Sequence, residues 1–160
     1  MSETKWLSAD ERNAWVKLTA VLELLPAALD LQLSRDEGLT HFEYFTLAML
    51  SEAPKRMLRT SALAARTNAT LPRLSRVVTR LEGAGLVERS PCAEDRRATN
   101  VALTEGGWQK VVAAAPGHVA AVRRLVIDSL TPAQVENLSE ILTVVVKQLD
   151  PDGRMLASDS

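Results

Sequence analysis

The sequence is poor in cysteine and aromatic residues and has no long hydrophobic run. Its single cysteine, Cys92, excludes an intramolecular disulfide and indicates a reducing compartment. Only 4% of the residues are aromatic, and most apolar positions are leucine, valine or alanine, which favours helices packed on helices. No apolar stretch approaches the roughly 20 residues that span a bilayer, and the polar residues 1–5 are unlike the start of a signal peptide. We therefore expect a soluble, cytoplasmic protein that does not contact membranes.

Sequence motifs for catalysis and metal binding are also missing. There is no glycine-rich loop that would cradle phosphate, and no pairing of a nucleophile with a base. His41, His118 and Cys92 are far apart in the chain and lack the paired spacing of metal ligands. The sequence accordingly predicts a protein that is not an enzyme and that holds neither a metal ion nor an organic cofactor.

The charged residues are divided unevenly along the chain. The formal net charge is −1, yet residues 55–97 hold ten basic and four acidic side chains, a local charge of +6. A basic surface on an otherwise acidic body is typical of proteins that bind nucleic acid. Taken alone, a run of this kind is more often a solvated charged face, so the arrangement of its arginines has to decide between the two.

Capping residues and hydrophobic periodicity predict long helices at both ends of the chain, with a short helix pair and a hairpin between them. Three helix starts carry capping boxes: Ser8 with Glu11, Thr40 with Glu43, and Thr131 with Gln134. Thr70 is placed to cap a helix over residues 71–83. Residues 86–89 and 99–103 alternate as strands do, and the polar segment between them is predicted to be a hairpin loop.

This order of elements is that of a winged helix-turn-helix protein. The predicted fold is mainly α, with a small β wing of two or three strands and long N- and C-terminal dimerisation helices. We assign residues 37–107 to a DNA-binding lobe, residues 5–36 together with 108–150 to a helical dimerisation region, and residues 151–160 to a polar tail. The terminal helices are more apolar than one small lobe requires, so pairing with a second copy is expected. Pro26 predicts a kink in the first helix.

The helix over residues 71–83 carries an apolar stripe and a basic stripe. Its apolar positions recur at helical spacing and define the buried side: Leu74, Val77, Val78 and Leu81. Arg73, Arg76 and Arg80 keep the same spacing one position earlier, which turns them roughly 120° away, towards solvent. Aligned guanidiniums can pair with guanine in a major groove or clamp phosphates. We expect residues 71–73 to approach base edges and Arg76 and Arg80 to hold the backbone.

The predicted hairpin tip adds a second basic element. Arg96 and Arg97 are adjacent on a projecting loop, from which they can reach the negative potential of a narrow minor groove. Asp95 can hold the guanidinium of Arg97 by a bidentate pair. A charged hairpin tip by itself usually has no binding role, but this one follows the arginine-striped helix, and together they predict one DNA-binding surface. The predicted DNA-binding residues are Ser61, Thr70, Leu71, Pro72, Arg73, Ser75, Arg76, Arg80, Asp95, Arg96 and Arg97.

These motifs, taken in order, resemble those of the MarR (multiple antibiotic resistance regulator) family of bacterial winged-helix transcriptional regulators. The matching pieces are Leu63-Ala64, Ser75-Arg76-Val77-Val78-Thr79-Arg80-Leu81-Glu82, Gly85-Leu86-Val87, Asp95-Arg96-Arg97 and Val101-Ala102-Leu103-Thr104. The resemblance implies a homodimer, held by its first and last helices, that binds a pseudo-palindromic operator as a repressor. It also implies that Asp95 and Arg97 form the wing pair, with Arg97 in the minor groove, and that a small aromatic or phenolic effector releases the DNA.

Three less specific features leave alternatives open. Trp15, Phe42 and Phe45 could line an effector pocket between the dimerisation helices and the DNA-binding lobe, although aromatic residues at helical spacing are more often core. Cys92 lies at the wing, whereas peroxide-sensing relatives carry their cysteine in the first helix, so a redox role would need a different mechanism. The competing function is a protein-interaction module whose basic face meets an acidic partner, which duplex DNA would then displace.

Overall fold

The computed structural model describes residues 4–156, whose elements follow the predicted order. The described α-helices and strands are α1 (Ala9–Glu37), α2 (His41–Glu52), β1 (Met57–Arg59), α3 (Thr60–Arg66), α4 (Leu71–Gly83), β2 (Val87–Pro91), β3 (Thr99–Leu103), α5 (Glu105–Leu125) and α6 (Pro132–Leu149). Residues 1–3, and residues 157–160 of the predicted polar tail, lie outside the described part of the chain. The predicted fold class, mainly α with a small β wing, is confirmed.

Side-chain caps begin the helices where the sequence predicts them. All three capping boxes form, with both hydrogen bonds of each box present: Ser8–Glu11, Thr40–Glu43 and Thr131–Gln134. Thr70 caps α4, and its Oγ1 accepts the N–H of Arg73 at 3.4 Å. These bonds matter because the first N–H groups of a helix have no partner inside it. α1 ends at Gly38, whose φ of 66° lies in the left-handed region that suits glycine.

The helix α1 continues through Pro26, where the sequence predicts a kink rather than a stop, although proline removes one hydrogen bond there. The sequence located two strands, and the structure adds β1, which pairs antiparallel with β3 and gives the sheet order β1-β3-β2. At three residues, β1 is too short to show a recognisable alternation.

The hydrophobic core lies between α2, α3, α4, the sheet and the start of α5. Residues that are at most 2% exposed include Leu47, Leu50, Leu63, Leu74, Val78, Leu81, Val87 and Val101. We call α2, α3, α4 and the sheet the central lobe. Of the four α4 residues predicted to be buried, Leu74, Val78 and Leu81 are buried and Val77 is partly buried. Full burial of such a side chain contributes about 1.5–3 kcal/mol. This packing determines how α4 is rotated about its own axis.

The helix α5 begins directly against the turn that follows α4. Thr104 caps α5 by accepting the Gly107 N–H at 3.0 Å, and its hydroxyl donates to the Gly85 carbonyl at 2.7 Å. Gly107 lies so close to the central lobe that a Cβ atom there would collide with the carbonyl oxygen of Leu86. Only glycine fits this contact, which joins α5 tightly to the central lobe.

Much of α1 and α6 has no apolar partner in the single chain. Large exposed apolar side chains lie on both helices: Trp15, Val16, Val21, Leu22, Leu24, Ile141, Leu142, Val144 and Leu149. No described residue of α6 is buried. Exposed apolar surface of this extent marks an interaction site. Within residues 4–156, no helix combines the length and hydrophobicity needed to cross a membrane.

Two histidines meet where α2 packs on α5. The His41 and His118 rings stack with their centroids 6.1 Å apart, and the Tyr44 ring lies 4.6 Å from that of His118. Asp30 of α1 accepts the backbone N–H of His41 at 2.9 Å. Burial lowers the pKa of both imidazoles; Asp30 opposes this at His41, and His41 lowers the pKa of His118 further. Both histidines are therefore neutral in the folded protein at neutral pH.

Acid should destabilise the fold through these two histidines. Below about pH 6.5, the ordinary histidine pKa, the unfolded chain takes up protons before the folded chain does, so the free energy of unfolding decreases as the pH falls. The chain contains only these two histidines, so the double variant His41→Gln/His118→Gln should show a smaller decrease in melting temperature between about pH 7.5 and about pH 5.5. Thermal unfolding followed by circular dichroism measures this, and an unchanged decrease would contradict it.

Candidate nucleic-acid interface

The starts of α3 and α4 and the wing border an exposed groove of about 410 Å³. Its lining includes Arg59, Ser61, Leu71, Ser75, Arg97 and Thr99. Four of the predicted DNA-binding residues are among them: Ser61, Leu71, Ser75 and Arg97. These residues come from three separate elements, and only the fold of the chain brings them onto one surface.

The three arginines of α4 are all exposed, but they differ in their contacts. The guanidinium of Arg73 lies over the ring of Phe42, 4.1 Å from its centroid. The Nε of Arg80 is 3.1 Å from Oε1 of Glu43, which is 3% exposed. The side chain of Arg76, between them, makes no hydrogen bond, ion pair or ring contact with any residue that the structure describes. The first turn of α2 therefore holds the two outer arginines, and Arg76 is left free to bind a ligand.

The start of α4 presents apolar groups to solvent rather than charge. Leu71 is 55% exposed, and Pro72 is also exposed in the first turn of the helix. Thr70 uses its hydroxyl as the helix cap. Arg73, which the sequence predicts at base edges, packs on Phe42 of α2 and remains exposed.

Arg96 and Arg97 are exposed at the wing tip, but Asp95 has a different partner from the one expected. Asp95 Oδ1 accepts the backbone N–H of Arg97 at 3.0 Å, and within the described residues no ion pair joins Asp95 to the Arg97 guanidinium. An aspartate commonly closes a turn by accepting the N–H two residues further on. Asp95 thus shapes the loop, and the Arg97 guanidinium stays available for a ligand.

Arg89 of β2 connects the wing to α4 and is absent from the predicted DNA-binding set. Its Nη1 donates to Glu82 Oε2 at 2.8 Å, and its Nη2 donates to the Ser75 carbonyl and to Thr79 Oγ1, both at 2.9 Å. The Arg89 N–H also donates to Glu82 Oε1 at 2.9 Å. This backbone bond, together with the guanidinium, lowers the pKa of Glu82. No sequence pattern predicts these contacts, because they cross the turn between a helix and a strand.

Arg59 lines the groove and is absent from the predicted set. It ends β1, and its Nη2 lies 3.1 Å from Oε2 of Glu94 in the wing loop. Both side chains are substantially exposed. Because β1 could not be recognised in the sequence, Arg59 contributed only to the charge of the basic block and had no predicted position beside the wing.

The aromatic residues predicted to line an effector pocket do not all meet within one chain. Phe42 supports the α4 arginine described above, and Phe45 stacks on His41 with centroids 6.5 Å apart. Trp15 lies on α1, about 22 Å along the helix axis from Asp30, where α1 bonds to the start of α2. Trp15 could join the two phenylalanines only from a second copy of the chain.

Cys92 lies inside the wing end of the central lobe. Cys92 is 7% exposed, and its N–H donates to the Ala98 carbonyl at 3.0 Å. His41 and His118 lie at the α2–α5 contact instead. Residues 4–156 contain no cluster of three or more His, Cys, Asp or Glu side chains arranged to hold a metal ion.

The geometry defines a class of protein. Two helices, α3 and α4, are joined by a short turn, and the second exposes a side lined with arginine and serine. A three-stranded wing, tipped by two arginines, borders the same groove. Together these parts form the winged helix-turn-helix of DNA-binding proteins.

Comparison with known proteins identifies the family. Residues 39–99 match the sequence profile of the MarR family. One similar solved structure is the crystal structure of Sco3205, a MarR family transcriptional regulator from Streptomyces coelicolor, in complex with DNA. Its sequence is 42% identical to this chain, the match covers 94% of each chain, and the TM-score is 0.89. A second is the crystal structure of AbsC, a MarR family transcriptional regulator from the same organism. AbsC is 38% identical to this chain, the match covers 92% of this chain and 99% of AbsC, and the TM-score is 0.86. The chain belongs to the MarR family of transcriptional regulators.

A curated relative supports the same class over a shorter span. The HTH-type transcriptional regulator PapX of Escherichia coli is 33% identical over 70 residues, which are 44% of this chain. The match spans 43% of PapX, less than half the length of that protein. Fold, family and relatives together show a DNA-binding transcriptional regulator.

Removing Glu43 should destabilise the protein at the contact between α2 and α4. In Glu43→Ala the Thr40 N–H loses its acceptor and Arg80 loses its partner, and we expect the free energy of unfolding to fall by about 1–2 kcal/mol. Glu43→Gln should lose less, because glutamine at this position also accepts the N–H of the cap residue. Urea unfolding measures both losses. Equal losses would show that the ion pair with Arg80, rather than the cap, carries the stability.

Proposed function

We propose that the protein is a sequence-specific repressor that binds a pseudo-palindromic operator as a homodimer. The observation that carries this proposal is the single groove lined by the exposed start of α4 and by Arg97 of the wing. A duplex laid along it would receive α4 in its major groove and the wing tip in the adjacent minor groove. A dimer bound over a promoter would exclude the transcription machinery.

The contacts of α3 and α4 divide into base reading and backbone holding. Leu71 is exposed at the first turn of α4 and suits the methyl group of thymine, while the hydroxyls of Ser61 and Ser75 can meet base edges or phosphates. Arg76 has no partner among the described residues and suits phosphate. Arg73 and Arg80 differ from it, because α2 already engages each of them.

We assign Arg73 and Arg80 mainly to the orientation of α4. Arg73 contacts the face of the Phe42 ring and Arg80 pairs through its Nε, so the terminal N–H groups of both guanidiniums can still touch the DNA backbone. Thr70 and Pro72 define the first turn of α4, because Thr70 caps it by accepting the N–H of Arg73 and Pro72 has no N–H that would need a partner there. At the wing, Arg96 and Arg97 enter or flank the minor groove on the loop that Asp95 shapes.

Residues 5–36 and 108–150 are proposed to hold the dimer, and residues 37–107 to bind DNA. The exposed apolar side chains of α1 and α6 support this, since a second copy offers a matching apolar surface about a two-fold axis. The two copies of α4 would then enter major grooves about one DNA turn apart, roughly 34–36 Å. Light scattering of the purified protein should give the mass of two chains.

A small aromatic or phenolic effector is proposed to weaken DNA binding. The cluster of His41, Phe45 and His118 rings supports this, because it lies where the central lobe meets a dimerisation helix. A ligand bound at this ring cluster would shift the central lobe relative to α5. Phe42, and Trp15 from the second copy, would complete the pocket. Titrating the DNA complex with a hydroxybenzoic acid while following fluorescence anisotropy tests this part of the proposal.

Selection of bound fragments from genomic DNA of the source organism by the purified protein tests the main function. Enriched fragments should share a short inverted repeat that binds two chains with an affinity falling steeply as salt rises. If no fragment were enriched, and binding to every duplex stayed weak at low salt, operator binding would be overturned. The basic face would then have to serve an acidic protein partner.

Arg97→Ala should lower the affinity for the operator by about 1–3 kcal/mol and weaken the preference for A·T-rich flanks, because the wing tip loses its minor-groove cation. Fluorescence anisotropy on duplexes with altered flanks measures both effects. Arg124→Ala removes an exposed arginine of α5 outside the central lobe and serves as the control. Unchanged binding by Arg97→Ala would remove the wing from the interface.

Arg76→Ala should behave differently, because a phosphate contact carries no sequence information. The variant should bind all duplexes more weakly by a similar factor, and the slope of log K against log salt should become shallower by about one unit. The same anisotropy series, repeated over several salt concentrations, measures this. Selective loss at one base pair would instead make Arg76 a base-reading residue.

A further inference from the structure

Arg89 and Glu82 join the wing strand β2 to the exposed side of α4. Glu82 accepts from both the backbone and the guanidinium of Arg89, which also donates to Ser75 and Thr79. The Arg89 and Glu82 side chains are 28% and 39% exposed. The other ion pair at the wing, Arg59 with Glu94, is 43% and 84% exposed. Water therefore competes less with the first pair, which is suited to hold a fixed geometry.

The bonded atoms lie beside both halves of the proposed DNA surface. Ser75, which accepts from Arg89, lines the groove and directly precedes Arg76. Arg89 is opposite Val101 in the sheet, two residues before β2 ends and the chain enters the loop that carries Arg97. Any change in the angle between β2 and α4 would move Arg97 relative to Arg76.

We propose that Arg89 and Glu82 form a clamp that sets the angle between the wing and α4, so that Arg97 and Arg76 reach one duplex together. The inference rests on the proposed operator binding. Arg89 is then a positioning residue, since its Nη1 and Nη2 already donate within the chain. A preset angle spares the complex the entropy cost of ordering the wing, which makes the contributions of wing and helix interdependent.

Direct binding of phosphate by Arg89 would predict the opposite effect of the Glu82→Gln substitution from the one that a clamp predicts. If Arg89 bound phosphate, Glu82 would partly neutralise it, and Glu82→Gln would tighten DNA binding by removing a negative charge from the central lobe. If the pair is a clamp, Glu82→Gln weakens operator binding in spite of that charge change, because the amide cannot form an ion pair with the guanidinium. The sign of the effect separates the two roles.

The experiment is a double-mutant cycle on the duplex enriched in the genomic selection. Wild-type protein and the Glu82→Gln and Arg89→Met variants are each compared with and without Arg97→Ala by fluorescence anisotropy. In wild-type protein Arg97→Ala should lower the affinity by a factor of about 5–150. In either clamp variant the same change should lower it by no more than about threefold, because the wing is no longer held against the DNA.

Glu88→Gln is the matched control, since Glu88 is an exposed carboxylate on the same strand and forms no ion pair among the described residues. It should retain the full effect of Arg97→Ala. Thermal unfolding checks that each variant is folded, and Arg89→Lys replaces Arg89→Met if the latter is not.

Two results would overturn the clamp while leaving operator binding intact. One is tighter binding by Glu82→Gln alone, and the other is an undiminished Arg97→Ala effect in the Glu82→Gln protein. Wild-type protein that binds no duplex would instead overturn the proposed function on which the clamp rests.

Discussion

Leu74, Val78 and Leu81 of α4 are almost completely enclosed by the central lobe, and the geometry of the interface follows from this packing. The helix cannot turn about its axis without exposing these side chains, at a cost of about 1.5–3 kcal/mol each. Ser75 and Arg76 are consequently held outward. The wing then completes the groove, because β2 returns along α4 and directs its loop to the same surface.

The first turn of α2 links α1 to α4. His41 bonds through its backbone to α1, whereas Phe42 and Glu43 contact arginines of α4. Glu43 both caps its own helix and pairs with Arg80, so one buried carboxylate stabilises local and tertiary structure together. The first turn of α2 therefore connects α1 to α4 through a short chain of direct contacts.

The features that could be predicted from the sequence are those that depend on neighbouring residues. The two residues of a capping box, such as Thr40 and Glu43, lie within one helical turn of each other. The spacing of the apolar residues in α4 indicates which of its sides is buried. The wing strands β2 and β3, the exposure of Arg76 and the solvent position of Arg97 followed from the same local patterns. The strand β1 did not, because three residues are too few to show a period.

By itself the sequence determined the helices, their buried sides, the order of elements and the basic character of one surface, since these depend on spacing along the chain. Only the tertiary structure decided which arginine side chains have partners within the chain. Arg73 and Arg80 are engaged by α2, Arg89 is engaged by α4, and Arg76 and Arg97 remain available. A charge pattern treats these five side chains alike, because their partners lie on other elements and are chosen by packing in three dimensions.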